Sequence, residues 1–397
     1  MWLNRMTDRR NGQKTPIHGI NRRKRLKLWA FILCLVTLMN GCGNSNKTDG
    51  SDGKTELPQQ ELTVSETPLL HSPVGIIMIK DDMVKNPLTG RWIDKKYAGA
   101  RPIAVLIENS WSAIPQYSLS YADITYEMYA EDGNTRLMAI FTEYDRAEKF
   151  EPIRSDRHYF DRKAVEYDAI NVFCGASDYA NDNDLYGNQY PYLDFIDLIR
   201  DPGLNRDTDR YAPHNAYTVP EQISQQIEAK GFSRTHRSYY NNGHKFNDEF
   251  TELKDGVVAE KVEIPFNNNE PWFEYDADDL VYYRYQFNGT HYDYDARRQI
   301  WCTNILIQLV TYTDLPGYES EGNQDIDWTG SGEGFYCTGG KAIHVTWKYD
   351  NYSTRWYTAN GQELKMNPGR TWVAVYKDSD KEGIVFSKQE EKNEEEQ

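Results

Sequence analysis

The stretch EPIRSDRHYF, residues 151–160, sets two arginines three apart around a serine. It places Arg154, Ser155 and Arg157 on or beside the first turn of a helix beginning near Ser155 or Asp156, both good N-cap residue types. A helix N-terminus offers free backbone N–H groups and a partial positive charge, and a guanidinium fork grips a carboxylate or phosphate bidentately. The chemistry this suggests is anion binding. The plainer alternative is that the arginines pair with acidic neighbours such as Glu131 and Asp132, since structural ion pairs commonly gather opposite charges.

Other segments could join such a site. DRYAPHNAYT, residues 209–218, carries His214 and Asn215 in an irregular stretch. A loop histidine titrates near neutrality and can act as a general base, bind a ligand or cap a turn. YEMYAEDGNTR supplies Glu127, Glu131 and Asp132, with Arg136 just beyond. Carboxylate, arginine and histidine meeting in one cleft would form a polar-ligand or hydrolytic site. NDNDLYGNQYPYLD has Asp182, Asp184 and Gly187 in partial EF-hand spacing, but Tyr186 and Leu193 occupy ligand positions five and twelve, so no metal is expected. There is no GxSxG, no HExxH and no glycine-rich phosphate loop, and no cofactor is implied. The tyrosines and tryptophans of 272–301 could stack on carbohydrate or simply pack across strands.

The N-terminus fixes the compartment. A basic region ending in Arg22-Arg23-Lys24-Arg25 precedes the apolar run LWAFILCLVTLM, too short to span a bilayer but suited to a secretory signal. LMNGC then resembles a lipobox, with Gly41 directly before Cys42. We read 1–41 as a lipoprotein signal peptide and Cys42 as the lipidated residue. Residues 1–41 hold nine Lys or Arg and one Asp, so the 45 basic and 61 acidic side chains become 36 and 60, a net charge near −24 rather than −16. Such a surface repels nucleic acid and anionic lipid, leaving the acyl anchor to hold the membrane. The partners expected are therefore the membrane, through that anchor, and an envelope ligand or protein. Beyond the leader and anchor, Cys174, Cys302 and Cys337 allow one disulfide, Cys302 with Cys337, or none.

Residues 42–85 read as a flexible tether, rich in Gly, Ser, Asn and Asp near its start. A first domain, 86–265, mixes buried strands (RPIAVLIEN, TRLMAIFTEY, AINVFCGA) with two helices. One carries Phe160, Ala164 and Tyr167 on one face, and the other is VPEQISQQIEAKG. A second, 270–388, holds hairpin signals at Asn288-Gly289, Gly339-Gly340 and Asn360-Gly361, and the strand TWVAVY. Residues 389–397 are a charged tail. The fold class expected is α+β: an N-terminal α/β layer domain followed by a mostly antiparallel β domain.

NPLTG, RPIAVLIEN, YADITYEMYAEDGNTRLMAIF, EPIRSDRHYF, DRYAPHNAYT and NGQELKMNPGRTWVAVY together resemble the YerB lipoprotein family. The resemblance implies a lipoprotein built of paired N- and C-terminal domains of unassigned function. Glu151, Asp156 and His158 depart from the pattern and add charge around the arginine pair. The sequence thus points to a lipid-anchored extracytoplasmic binding or scaffold module, with Arg154, Ser155, Arg157, His214 and Asn215 holding a polar or anionic ligand. The alternative is an envelope hydrolase acting on a cell-wall or glycan-type substrate, with Glu131 or His214 as general base. The missing nucleophile–base pair favours binding.

Overall fold

The computed structural model describes residues 81–318 and 322–389. Cys42, the apolar leader and nearly all of the expected tether and tail lie outside the described residues. No helix among them is long and apolar enough to cross a membrane.

The centre is an eleven-stranded mixed sheet. In chain order its strands are β1 (Ile103–Asn109), β2 (Ile124–Tyr129), β3 (Thr135–Phe141), β4 (Ile170–Phe173), β5 (Asp194–Asp197), β6 (Val257–Val258), β7 (Asn304–Val310), β8 (Ser331–Thr338), β9 (Lys341–Asp350), β10 (Ser353–Thr358) and β11 (Thr371–Lys377). Across the sheet they run β6-β9-β8-β7-β11-β2-β3-β1-β4-β5, with β10 on β9. Every residue of β1, β2, β3 and β7 is buried. Strands covered on both faces need apolar groups at successive positions, which explains runs such as IAVLIEN. Alternate side chains feed two cores: Ile103, Val105 and Ile107 one, Ala104 and Leu106 the other. Helix α1 (His158–Glu166) adds Phe160 and Ala164 to the second core, and α2 (Pro220–Ala229) adds Ile223 and Ile227 to the first.

Strands dominate, and the helices of the expected α/β layer are short: α1 and α2, one on each face, and the helical stretch 178–185. The C-terminal half is not simply antiparallel. Its strand β11 runs parallel to both neighbours, β7 and β2, and so joins the two halves edge to edge. TWVAVY forms a strand as expected, and Trp372, Val373, Ala374, Val375 and Tyr376 are all buried because each face of β11 is covered. A second, six-stranded sheet includes Trp272–Asp276 and Val281–Gln286.

Local details shift as well. The N-cap of α1 is Arg157, without a side-chain cap bond, rather than Ser155 or Asp156. The Ser155 hydroxyl instead donates to the Cys174 carbonyl at 3.2 Å. The first hairpin turns one residue early: Phe287 and Asn288 take φ of 52° and 57°. Gly339 and Gly340, at φ 60° and 71°, make the β8–β9 turn where expected. Cys174, Cys302 and Cys337 are free thiols, the last two buried.

One buried ion pair ties the halves together. Arg284, on Val281–Gln286, donates through Nη2 to both Glu127 oxygens, at 3.0 and 2.8 Å, with neither side chain exposed. Glu127 Oε1 also accepts from Asn109, Thr135 and Asn269, and Oε2 from Trp372 Nε1 at 3.1 Å. The guanidinium lies 4.4 Å from the Trp372 ring centre. Removing one partner strands the other charge in the interior. Glu127→Ala is therefore expected to cost about 3–5 kcal/mol in denaturant unfolding. A loss under about 1 kcal/mol, the range of an exposed pair, would refute the role.

Candidate functional site: an arginine-lined cavity

The residues singled out from sequence fall mostly into an ion-paired row beside α1. Arg154 Nε stands 3.7 Å from Glu108 Oε2. Glu108 Oε1 lies 2.9 Å from His214 Nδ1 and accepts the Ser110 hydroxyl at 2.8 Å. Glu108 faces Arg136 across β1 and β3. Arg136 Nη1 donates to the Ser155 carbonyl at 2.7 Å, and its Nη2 approaches Glu131 Oε2 at 3.5 Å. Glu131 Oε1 accepts from Arg157 Nε. The structure thus joins Arg154 to His214 through Glu108, and Arg157 to Glu131. Asn215 does not join them: its amide donates to the Asp207 and Arg210 carbonyls at 3.0 and 3.3 Å and accepts from Arg206 at 3.1 Å, closing its own loop. Burial pushes the Glu131 carboxyl up, but Arg157 and Arg136 outweigh it and hold the group below its ordinary value.

Behind this row, Asp156 and Asp161 are wholly buried and share one donor, the Asn171 amide, at 3.2 and 2.9 Å. Desolvation pushes Asp156 up to about 7 and Asp161 well above the carboxylate range, with each other's charge adding to the rise of Asp161. This is a pair that holds a proton, closed off from solvent.

The densest unpaired charge lies elsewhere, around a cavity of about 510 Å³. Four arginines line it: Arg91, Arg146, Arg298 and Arg370. Two come from parallel motifs, NPLTGR and NPGR, which dock through a bond from Gly369 N to the Thr89 carbonyl at 2.8 Å. Gly369, at φ 155°, is required there, since a Cβ would lie 2.0 Å from Thr303 Oγ1. Arg370 then precedes β11, and Arg91 precedes the short strand Trp92–Asp94. Arg298 begins the strand Arg298–Gln299, and Arg146 ends the turn Tyr144–Arg146.

Of the four, only Arg146 has a carboxylate partner among the described residues, Glu143 at 3.3 Å. Among the described residues, the guanidiniums of Arg91, Arg298 and Arg370 form no ion pair or hydrogen bond, and Arg298 Nε and Arg370 Nη1 are buried without one. Arg370 lies 4.2 Å from the Trp301 ring centre. Burial, then Arg298, Arg91 and Arg146, lower its pKa well below the usual value. Asp123 shares the wall. It accepts from Asn86 Nδ2 at 2.9 Å and Thr142 N at 2.8 Å, and burial pushes it up to about 6. Like charges gathered in a poorly solvated cleft raise the energy of the empty protein and favour an anion between them. Sequence reasoning passed over these arginines because they are scattered from 91 to 370. The repeated Asn-Pro…Gly-Arg ending was the signal available.

Fold and cavity together define a strand-rich, two-part protein whose chemistry concentrates at an unpaired arginine set. The chain belongs to the YerB-like family: residues 88–233 match the N-terminal domain, and 262–373 the C-terminal domain, of a protein of unknown function termed DUF3048. It is 28% identical over 315 residues to "Putative lipoprotein YerB" of Bacillus subtilis (strain 168), spanning 76% of this chain and 88% of that protein. The crystal structure of YerB from Bacillus subtilis superimposes with a TM-score of 0.68 and 28% identity, over 77% of this chain and 100% of that one. Arg91 and Arg146 fall in the N-terminal match, Arg298 and Arg370 in the C-terminal match.

The buried aspartate pair sets a pH dependence. Its folded pKa values lie above the unfolded value of 3.8, so the stability it contributes is complete below pH 4 and lost as pH rises through about 7. Asp161→Asn keeps the shape and removes one ionisation. Its melting temperature should fall less than that of the wild type between pH 4 and 8, and exceed it at pH 8. Parallel curves would show that the pair does not hold the proton.

Proposed function

We propose that the protein is a lipid-anchored extracytoplasmic binding module whose ligand is an anion held in the arginine cavity. The leader, the Gly41-Cys42 junction and the tether composition support the anchor, as does the lipoprotein description in the name of the Bacillus subtilis relative. The observation that carries the binding reading is the set of three guanidiniums, Arg91, Arg298 and Arg370, left without carboxylate or hydrogen-bond partners among the described residues. In the row beside α1, by contrast, Arg154 and Arg157 each face a glutamate. Those pairs favour a structural role for the row, which supports the cavity as the anion site. The hydrolase reading is weaker, because a carboxyl held below its ordinary value, as Glu131 is, makes a poor general base at neutral pH.

Two measurements test this reading. Cys42→Ala, or globomycin treatment, should move the protein from the membrane fraction to soluble or unprocessed fractions. Unchanged fractionation without acyl mass on Cys42 would end the lipoprotein reading. Inorganic phosphate at constant ionic strength should raise the melting temperature, with about 2.7 kcal/mol of stabilisation at 100 times Kd. Arg370→Met should abolish that rise while leaving the ligand-free protein no less stable, because it removes a buried, unpaired charge. A phosphate response that survives in Arg370→Met would place the anion elsewhere.

A further inference from the structure

We propose that the cavity takes a phosphomonoester of a small polyol or sugar, its phosphate among Arg91, Arg298 and Arg370 and its hydroxyls toward Asp123 and Glu143. The inference rests on the cavity being the anion site and adds the class of ligand.

Donor geometry decides the first part. Arg146 is matched by Glu143. The three remaining guanidiniums share the lining with two carboxylates, Asp94 and Asp123, so a net positive charge remains even when both are ionised, and the three forks keep their donors free. A phosphomonoester carries about −1.5 to −2 at neutral pH and presents three strong acceptor oxygens. A carboxylate or a phosphodiester presents only two such oxygens. Guanidinium forks also match the geometry of phosphate oxygens, and three of them can satisfy all three.

Volume and wall chemistry decide the second part. At about 510 Å³ the cavity falls in the size range of small-molecule pockets, far above the few water volumes that a bare ion fills. The rest of the space is bounded by carboxylates and rings. Asp123 accepts from the Asn86 amide on one oxygen and from Thr142 on the other, and two carboxylate oxygens with about four lone-pair sites leave room for a further donor. Glu143 sits at the more open side beside Arg146. These acceptors repel a second anionic group and welcome hydroxyls. Trp92 and Tyr121 add ring surface to the lining, against which the C–H groups of a carbon chain or ring can pack. A purely apolar body would leave both carboxylates without donors from the ligand. A hydroxylated one supplies them.

Calorimetric titration of the full-length protein in detergent at pH 7.5 tests the assignment with inorganic phosphate, glycerol, glycerol 3-phosphate, a glycerol phosphodiester and glucuronate as probes. Glycerol 3-phosphate should bind at least about tenfold more tightly than inorganic phosphate, a gain of about 1.4 kcal/mol. Glycerol alone should not bind. Arg298→Gln should weaken both phosphates together. Glu143→Gln should narrow the gap between them while leaving inorganic phosphate bound. Equal affinity for the two phosphates would overturn the polyol assignment yet leave the anion cavity standing. Tighter binding of the diester or of glucuronate would overturn the phosphomonoester assignment. Absence of binding by every anion would overturn the cavity reading itself.

Discussion

The buried pair of Glu127 and Arg284 is the constraint on which the rest of the structure turns. Two charges taken wholly out of water are tolerated when surrounding groups satisfy most of their remaining lone pairs and protons. Here the partners come from β1, β2 and β3 on one side and from Asn269, Arg284 and Trp372 on the other. Satisfying them fixes β11 beside β2, with Ala374 opposite Glu127. That register in turn sets where β11 begins, and so brings Arg370 to the cavity. An interaction that serves the fold thereby positions the chemistry.

The cavity shows the opposite treatment of charge. At Glu127 and in the row from Glu108 to Arg157 the protein matches cations with carboxylates, as its acidic composition makes easy. With 61 acidic residues available against 45 basic ones, leaving three neighbouring arginines without a carboxylate partner is a specific feature rather than a shortage. Two of them are held by the docking of NPLTGR against NPGR, where backbone bonding and Gly369 leave little freedom. Local strain of this kind, sustained by the surrounding fold, is characteristic of binding sites. Under the proposed reading, relief of that cost by an anion would supply affinity.

Much of the fold was legible in the sequence because burial writes itself into runs of side chains. IAVLIEN and TRLMAIF could be little other than strands covered on both faces, and Phe160, Ala164 and Tyr167 marked the buried side of α1. The parallel pairing of β11 was not legible, since a strand's neighbours depend on partners more than 200 residues away. The site divided in the same way. Spacing within one segment exposed Arg154 and Arg157, but whether they were free depended on Glu108 and Glu131, which lie outside that segment. Arg91, Arg298 and Arg370 share no segment at all. Only the folded sheet makes them neighbours.

The central claim, that unpaired arginines at the junction of the two halves hold an anion, is tested most directly by locating one. Crystals soaked in tungstate, a dianion with strong anomalous scattering, should show a peak within hydrogen-bonding reach of Arg370 and at least one of Arg91 and Arg298. A clear peak at Arg154 and Arg157, with none beside Arg370, would contradict the account.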